Sequence, residues 1–273
     1  MPELTRASEL TDAFARGRAE SRGLLIGYLP AGYPSVAGGI AALTAMVDGG
    51  VDVIEVGLAY SDPLMDGPTI QAAVDRALAG GVRTKDVLST VEAVARTGVP
   101  TMVMSYWNPV DAYGVGRFAH DLASAGGAGM ITPDLIPEEA SDWLAAADSA
   151  GLDRVFLVAP SSTDERISMT ASHCRGFVYA TAVMGVTGAR EASSVRAPDL
   201  VRRVRAATDL PVGVGLGVSN GKQAAEVAAY ADGVIVGAAF VRRLLDADSD
   251  LHGQRAVADL ARELSAGVRA PRK

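Results

Sequence analysis

A glutamate inside an apolar strand is the residue in this sequence best suited to acid–base chemistry. Glu55 interrupts the run VDVIEV (Val51–Val56), which is rich in β-branched residues and is followed by Gly57. Such runs are typical of strands buried in a parallel sheet. Burial makes a charged carboxylate costly and raises its pKa. Glu55 is therefore predicted to give or take a proton near neutral pH.

Two further carboxylates lie in the loop that follows this strand. Asp62 and Asp66 belong to a Gly-, Pro- and Asp-rich segment before a helix that is predicted to begin near Pro68. A glutamate in a strand can also face solvent or form an ion pair, and aspartates in loops commonly shape turns. The buried-looking Glu55 and a carboxylate-bearing loop on the same strand together favour the functional interpretation.

The rest of the chain alternates predicted strands and helices after a leading helix at Leu4–Arg16. Strands are predicted at Gly23–Leu29, Val51–Val56, Pro100–Ser105, Gly129–Thr132, Arg154–Ala159, Gly176–Ala182, Pro211–Gly217 and Asp232–Gly237. Helices are predicted at Ala37–Met46, Thr69–Leu78, Lys85–Ala95, Val115–Ala125, Glu138–Ala150, Asp199–Ala207 and Gly221–Tyr230, and the last helix from Ala239 onward. One further helix is predicted to follow an N-cap at Thr163. The segments YWNP (Tyr106–Pro109) and PDLIP (Pro133–Pro137) are predicted to be loops.

This alternation predicts an α/β fold, a (β/α)8 TIM barrel with an additional N-terminal helix. Strands joined by helical crossovers must be parallel, and eight of them close into a barrel. A doubly wound open sheet is the alternative, but it would carry GxGxxG after its first strand, where this chain has LPAGYP (Leu29–Pro34). The absence of a linker-like segment predicts a single domain over residues 1–273.

Composition limits the class of protein and of partner. The chain is 49% hydrophobic and 21% charged, as expected of a compact globular protein, and its formal charge is −7. The acidic balance argues against nucleic acid or a membrane surface as partner. Cys174 is the one cysteine, so neither an intrachain disulfide nor a cysteine-based metal cluster is expected. No signal peptide or membrane span is recognised, so a cytoplasmic protein is expected.

Glycine-containing loops follow the last three predicted strands. They are VMGVTGAR (Val183–Arg190), GLGVSNG (Gly215–Gly221) and GAAF (Gly237–Phe240). Glycines let backbone N–H groups surround a phosphate, and phosphate sites after strands seven and eight recur in this fold. Each loop alone is also explained as a turn, but their coincidence favours a phosphorylated substrate.

Four segments resemble the α subunit of tryptophan synthase. They are IEVGLAYSDPLMDGPTIQ (Ile54–Gln71), MSYWNPV (Met104–Val110), PDLIPEEA (Pro133–Ala140) and MGVTGAR (Met184–Arg190), and the resemblance extends from about Ile26 to Val241. It implies a (β/α)8 barrel that cleaves indole-3-glycerol phosphate to indole and glyceraldehyde 3-phosphate in a retro-aldol reaction. It also implies an α2β2 complex, in which a pyridoxal-phosphate-dependent β subunit receives the indole; no cofactor is expected in this chain.

The resemblance assigns a role to individual residues. The catalytic glutamate and aspartate fall on Glu55 and Asp66. The positions implied to bind substrate are Tyr179, Thr187, Gly188, Gly217, Gly237 and Ala238, with Gly215 nearby.

The chemistry of the residues agrees with these assignments. Bond cleavage needs a proton at indole C3 and removal of a proton from the neighbouring hydroxyl, and Glu55 is suited to both. Asp66 is suited to stabilising positive charge near the indole N1, whereas Asp62 is interpreted as a loop-structuring residue. Gly185–Ala192 has the small residues of a lid that excludes water, and Thr187 is expected to hydrogen-bond Asp66 on closure. No metal is expected.

Two positions depart from the family pattern. Ala59 stands where the family usually has proline, in a loop that faces the β subunit in that family. Ala238 stands where many relatives carry a serine that helps to hold the phosphate. The first departure keeps open a stand-alone lyase that releases free indole. A barrel that mainly binds and activates its partner is a further alternative, although the presence of Glu55 and Asp66 argues against it.

Overall fold

Eight parallel strands close into a barrel in sequence order, β1 to β8. The computed structural model describes residues 8–181 and 190–270, with only the backbone described for residues 190–195. The strands are β1 (Leu24–Pro30), β2 (Val53–Gly57), β3 (Thr101–Met104), β4 (Gly129–Thr132), β5 (Asp153–Val158), β6 (Val178–Thr181), β7 (Val212–Gly215) and β8 (Gly233–Val236). The (β/α)8 prediction is therefore confirmed.

Helices surround this barrel and connect its strands. Within the described residues they are α1 (Glu9–Ala19), α2 (Val36–Asp48), α3 (Pro68–Ala79), α4 (Thr84–Ala95), α5 (Trp107–Tyr113), α6 (Val115–Ser124), α7 (Ser141–Ala150), α8 (Asp164–His173), α9 (Arg190–Ala207), α10 (Gly221–Ala228), α11 (Ala238–Leu245) and α12 (Asp250–Val268). None of the helices in the described ranges combines the length and the apolar character needed to cross a membrane.

Local capping explains where several helices begin. Pro68 is the first residue of α3, as its lack of an N–H allows. The Thr163 side chain accepts a hydrogen bond from the Arg166 N–H at 3.2 Å, which confirms the predicted cap of α8. Ser8 caps α1 by accepting from the Thr11 N–H at 3.1 Å. The leading helix therefore begins later than the predicted Leu4.

Three predicted connections were wrong in detail. The YWNP segment is the start of α5, because the Trp107 N–H finds the Asp134 carboxylate as a cap 27 residues away in the chain. The predicted helix from Glu138 is a 3₁₀ turn at Pro137–Glu139 followed by α7. The predicted helix at Asp199–Ala207 is the second half of α9, which begins at Arg190 and accommodates Pro198 in its interior. The first error depended on a contact between distant residues, and the third on a proline inside a helix, an exception to its usual role.

The inward-facing side chains of the strands form the barrel core, and α1 closes its lower end. Alternate residues of each strand face inward. Those of the lower layer pack with Leu10 and Phe14 of α1. Phe14 is 2% exposed, and its ring centroid lies 5.6 Å from that of Phe177, which directly precedes β6. Ser8 also donates to the Asp153 carboxylate at 2.6 Å. The additional N-terminal helix is thus part of the core.

Removing the Phe14 ring is expected to destabilise the barrel. Phe14→Ala should lower the free energy of unfolding by about 3 kcal/mol, because a buried aromatic ring is lost and a cavity is left below the strands. Urea titration followed by circular dichroism measures this. Leu251→Ala, at a side chain that is 57% exposed, is the control and should change stability by less than about 0.5 kcal/mol. Equal effects in the two variants would mean that α1 does not close the core.

Candidate active site

Glu55 points into the barrel from β2 and is 1% exposed. It pairs in register with Tyr28 of β1 and Met102 of β3, whose side chains also face inward. Burial raises the pKa of Glu55 to about 8. Within the described part of the chain, Oε1 has no hydrogen-bond partner. A carboxyl group in this state is mostly protonated at neutral pH, which confirms the predicted burial and pKa shift.

Two tyrosines share this end of the interior with Glu55. Burial, reinforced by the neighbouring Glu55 carboxylate, raises the pKa of Tyr179 on β6 above its usual range. The pKa of Tyr28 is also raised well above its usual range, first by burial and then by the charges of Asp66 and Glu55. Both phenols are therefore neutral hydrogen-bond donors close to the carboxyl groups. Tyr28 was missed in the sequence, although strand alternation with Ile26 places it inside the barrel.

Glycines make room for the tyrosine rings at the mouth of the barrel. A Cβ atom on Gly57 would lie 2.3 Å from Tyr28 Oη, and one on Gly237 would lie 3.1 Å from Tyr28 Cδ1. A Cβ atom on Gly215 would lie 2.6 Å from Tyr179 Oη. Packing of the tyrosine rings therefore favours glycine at positions 57 and 215, and a Cβ atom at position 237 would make a tight contact.

Asp66 lies above the strands, in the loop between β2 and α3. Its Oδ1 accepts a hydrogen bond from the Tyr106 hydroxyl at 3.2 Å, and its carbonyl oxygen accepts one from Gln71 Nε2 at 2.7 Å. Partial burial raises the pKa of Asp66, and the Tyr106 hydrogen bond opposes that rise. Asp62 is exposed and accepts from Ser61 Oγ at 2.5 Å. This local contact suits the loop-structuring interpretation of Asp62.

Apolar side chains of β3 and β5 pack against the inner core of the barrel. Met104 on β3 and Leu157 on β5 are partly buried and pack, with Tyr179, against the inner core. Leu157 is the register partner of Tyr179 across β5 and β6. This end of the barrel interior therefore combines apolar side chains with a few polar groups, the combination that suits a flat aromatic ligand. Met104 and Leu157 were not singled out in the sequence, where they are simply part of apolar runs.

The glycine loops after β7 and β8 lie side by side, because these two strands are paired. Gly217 is exposed with a φ of +66°, and Gly237 is the cap residue of α11. The first hydrogen bond at the start of α11 runs from the Val241 N–H to the Gly237 carbonyl at 3.1 Å. The N–H groups at the start of α11, including that of Ala238, thus lack partners within the helix and can receive an anion.

Part of the predicted site lies outside the described residues. Thr187 and Gly188 belong to residues 182–189. The predicted lid, Gly185–Ala192, overlaps the described chain only at Arg190–Ala192, where the backbone is helical. The proposed contact between Thr187 and Asp66 stays a prediction.

The described residues contain no group of three or more His, Cys, Asp or Glu side chains arranged to hold a metal ion. The histidines lie on separate helices: His120 on α6, His173 at the end of α8 and His252 on α12. Cys174 is buried, and burial raises the pKa of its thiol to about 11.

Exposed apolar side chains follow β2 and β4 at the same end of the barrel. Leu64 is 78% exposed, Met65 43% and Ile136 39%. Leu64 and Met65 directly precede Asp66, so a surface of this kind adjoins the candidate active site. Large exposed aliphatic side chains that cluster next to a site are typical of a protein interface.

Comparison with known proteins gives one consistent result. Residues 14–269 match the family described as tryptophan synthase alpha chain. The tryptophan synthase alpha chain of Salinispora arenicola is 64% identical over 97% of this chain and 99% of its own length. A Mycobacterium tuberculosis tryptophan synthase structure is 56% identical, with a TM-score of 0.90 over 97% of this chain and 99% of that one. An alpha subunit structure from Legionella pneumophila is 30% identical, with a TM-score of 0.87 over 96% of this chain and 98% of that one.

Replacing Glu55 with glutamine is expected to change how stability depends on pH. The pKa of Glu55 is raised from 4.5 to about 8 on folding, so its favourable contribution is fully present below pH 4.5 and is lost as the pH rises to about 8. Glutamine does not titrate. The free energy of unfolding of Glu55→Gln relative to that of the parent chain should therefore increase by about 4 kcal/mol between pH 5 and pH 9.

Urea unfolding at the two pH values measures this difference. Glu165→Gln, at an exposed carboxylate near the start of α8, is the matched control for a glutamate-to-glutamine change at the surface. A constant difference between Glu55→Gln and the parent chain would show that Glu55 is ionised in the folded protein at neutral pH.

Proposed function

Because this chain belongs to the tryptophan synthase alpha chain family, we propose that it cleaves indole-3-glycerol phosphate to indole and glyceraldehyde 3-phosphate in a retro-aldol reaction. The observation that carries the proposal is Glu55, a carboxyl group buried at the inner wall of the barrel with its pKa raised to about 8. It is protonated at neutral pH and shares the barrel interior with apolar side chains such as Met104 and Leu157.

Glu55 acts first as the general acid and then as the base. Its proton goes to indole C3, which breaks the aromatic conjugation and weakens the bond between C3 and the glycerol carbon. The electrons of that bond return to the ring, and the hydroxyl on the glycerol carbon loses its proton as the aldehyde forms. The carboxylate left on Glu55 accepts this proton, so the group ends the cycle protonated. A single buried carboxyl therefore balances both transfers.

Asp66 stabilises the charge that develops during this step. Protonation at C3 places positive charge on the indole nitrogen, and a carboxylate near N1 lowers the energy of that state. Asp66 is suited to this role because it is partly buried, where a charge acts more strongly than in water. Asp62 is exposed and paired with Ser61, so it is not the preferred candidate.

The phosphate binds at the ends of β7 and β8. Backbone N–H groups near Gly217 and at the start of α11 supply donors, and the helix dipole adds a favourable charge. Gly215, Gly237 and Ala238 lie in the same region, with Gly188 expected beside them. Tyr179 contributes to the wall of the indole pocket. The proposed reaction uses these phosphate-binding and pocket residues together with the carboxyl groups of Glu55 and Asp66, and it needs no metal.

The partner is a pyridoxal-phosphate-dependent β subunit in an α2β2 complex, and this chain itself carries no cofactor. Tryptophan synthase structures from M. tuberculosis are among the relatives with known structure. The exposed side chains of Leu64, Met65 and Ile136 supply an apolar surface beside the active-site loop, where docking would act on Asp66. Ala59 lies partly buried near the start of this loop. One domain over residues 1–273 and a cytoplasmic location complete the proposal.

Indole release from indole-3-glycerol phosphate tests this function directly. The purified chain should turn over slowly alone and much faster with a cognate β subunit. Glu55→Gln and Asp66→Asn should each lower kcat by more than about 100-fold with the β subunit present, because each removes a group that acts on the reacting atoms. Asp62→Asn is the matched control in the same loop and should keep kcat within about threefold.

The other outcomes separate the alternatives. Fast turnover that does not respond to the β subunit would support a stand-alone lyase. The absence of turnover in both conditions, with complex formation intact, would leave the partner-activating role. Full activity of Glu55→Gln would exclude this glutamate as the catalytic acid.

A serine at position 238 is expected to strengthen phosphate binding. Ala238 is the first residue of α11, so a hydroxyl there adds a hydrogen-bond donor to those of the backbone. Ala238→Ser should lower the inhibition constant for glycerol 3-phosphate about fivefold, as one added hydrogen bond of about 1 kcal/mol would do. Ala239→Ser, one residue along the same turn, is the control, and an Ala238→Ser constant equal to the parent's would refute the assignment.

A further inference from the structure

The loop after β3 reaches across to the candidate catalytic aspartate of the loop after β2. Tyr106 directly precedes α5, is 6% exposed, and places its hydroxyl between two groups of the neighbouring loop. The hydroxyl oxygen accepts a hydrogen bond from the Met65 N–H at 2.9 Å, and the hydroxyl proton is donated to Asp66 Oδ1 at 3.2 Å. One side chain therefore binds both the backbone and the carboxylate of the Met65–Asp66 segment.

We propose that Tyr106 is a positioning residue for the proposed reaction, which holds the Asp66 carboxylate in the orientation needed beside the indole nitrogen. The inference rests on the role proposed for Asp66. Without the hydroxyl, one described side-chain hydrogen bond to Asp66 remains, from Gln71 Nε2 to the Asp66 backbone carbonyl. That hydrogen bond does not restrain the carboxylate.

Tyr106 is itself firmly held, which a positioning residue requires. The Trp107 N–H next to it donates to Asp134 Oδ1 at 2.9 Å, which ties this loop to the one after β4. The Tyr60 ring packs on the Tyr106 ring with centroids 5.6 Å apart. The tie to the loop after β4 restrains Tyr106 independently of the loop after β2, to which Tyr60 and Asp66 both belong, so the phenol favours one place for the carboxylate.

The same hydrogen bond favours the ionised form of Asp66. Partial burial raises the pKa of Asp66, and the Tyr106 hydroxyl lowers it in opposition. Burial raises the pKa of Tyr106 to about 12, so this phenol stays a donor throughout the working range. Other titratable groups lie at this end of the barrel: Tyr28 on β1, Glu55 on β2, Tyr179 on β6, Tyr60 and the exposed Asp62 on the same loop as Asp66, and Asp134 on the loop after β4.

Tyr106→Phe tests the inference, because it removes the hydroxyl and keeps the ring. In the complex with the β subunit, kcat for indole release should fall about tenfold while KM stays within about twofold. The acid limb of the kcat profile should move to higher pH, since Asp66 loses the contact that lowers its pKa. Tyr60→Phe is the matched control: its hydroxyl contacts only Asn108, at 3.4 Å among the described hydrogen bonds, and both readouts should stay at parent values.

Two further measurements keep the result separate from the proposed function. In an Asp66→Asn background, Tyr106→Phe should cause no additional loss of kcat, because the positioned group is already absent. Carbon-13 NMR titration of labelled aspartate in the full chain reports the Asp66 pKa without any turnover, and this pKa should rise in Tyr106→Phe.

The outcomes are distinct. Unchanged kcat and an unchanged acid limb in Tyr106→Phe would overturn the positioning role, even if the NMR titration shifts. A tenfold loss that persists in the Asp66→Asn background would also overturn it, since the tyrosine would then act on something else. Full activity of Asp66→Asn alone would instead refute the proposed role of Asp66, on which the inference rests.

Discussion

Burial of one carboxyl group inside the barrel is the constraint on which the rest of the site depends. Glu55 has no hydrogen-bond partner for Oε1 among the described residues, and burial is the cause of its raised pKa. Desolvation therefore keeps its proton bound. A nearby lysine or arginine would stabilise the carboxylate and lower the pKa of Glu55, so that the group would no longer carry a proton to donate. The surroundings are accordingly neutral phenols and apolar side chains, which leave the proton available at neutral pH.

The packing around Glu55 follows from the same requirement. The large side chains of Tyr28 and Tyr179 share the interior with the carboxyl group, and a Cβ atom on Gly57 or Gly215 would clash with their hydroxyl groups. The glycines of the last strands thus serve two needs. They admit the aromatic rings that exclude water from the acid, and they leave backbone N–H groups open at the rim, where an anion can bind.

The loops above the barrel are joined to one another by side chains. The loop after β2 contacts the loop after β3 through Tyr106, and the latter contacts the loop after β4 through Trp107 and Asp134. Leu64, Met65 and Ile136 are exposed on the first and last of these loops. A partner that covers these side chains would act on a connected set of loops that contains Asp66. Glu55 lies on a strand of the barrel and not on these loops, so the two carboxyl groups can respond differently to binding.

The sequence by itself determined the barrel, the buried acid and the family. Strand and helix periodicity are local properties, so eight strands could be counted, and Glu55 was identified because packing alone rarely places a charged residue inside an apolar run. The tertiary structure decided what depends on contacts distant in the chain. The start of α5 depends on Asp134, the room for the Tyr28 ring depends on the missing Cβ atom of Gly57, and the state of Asp66 depends on Tyr106. The members of each pair lie on different strands or loops, and no local pattern encodes such a pairing.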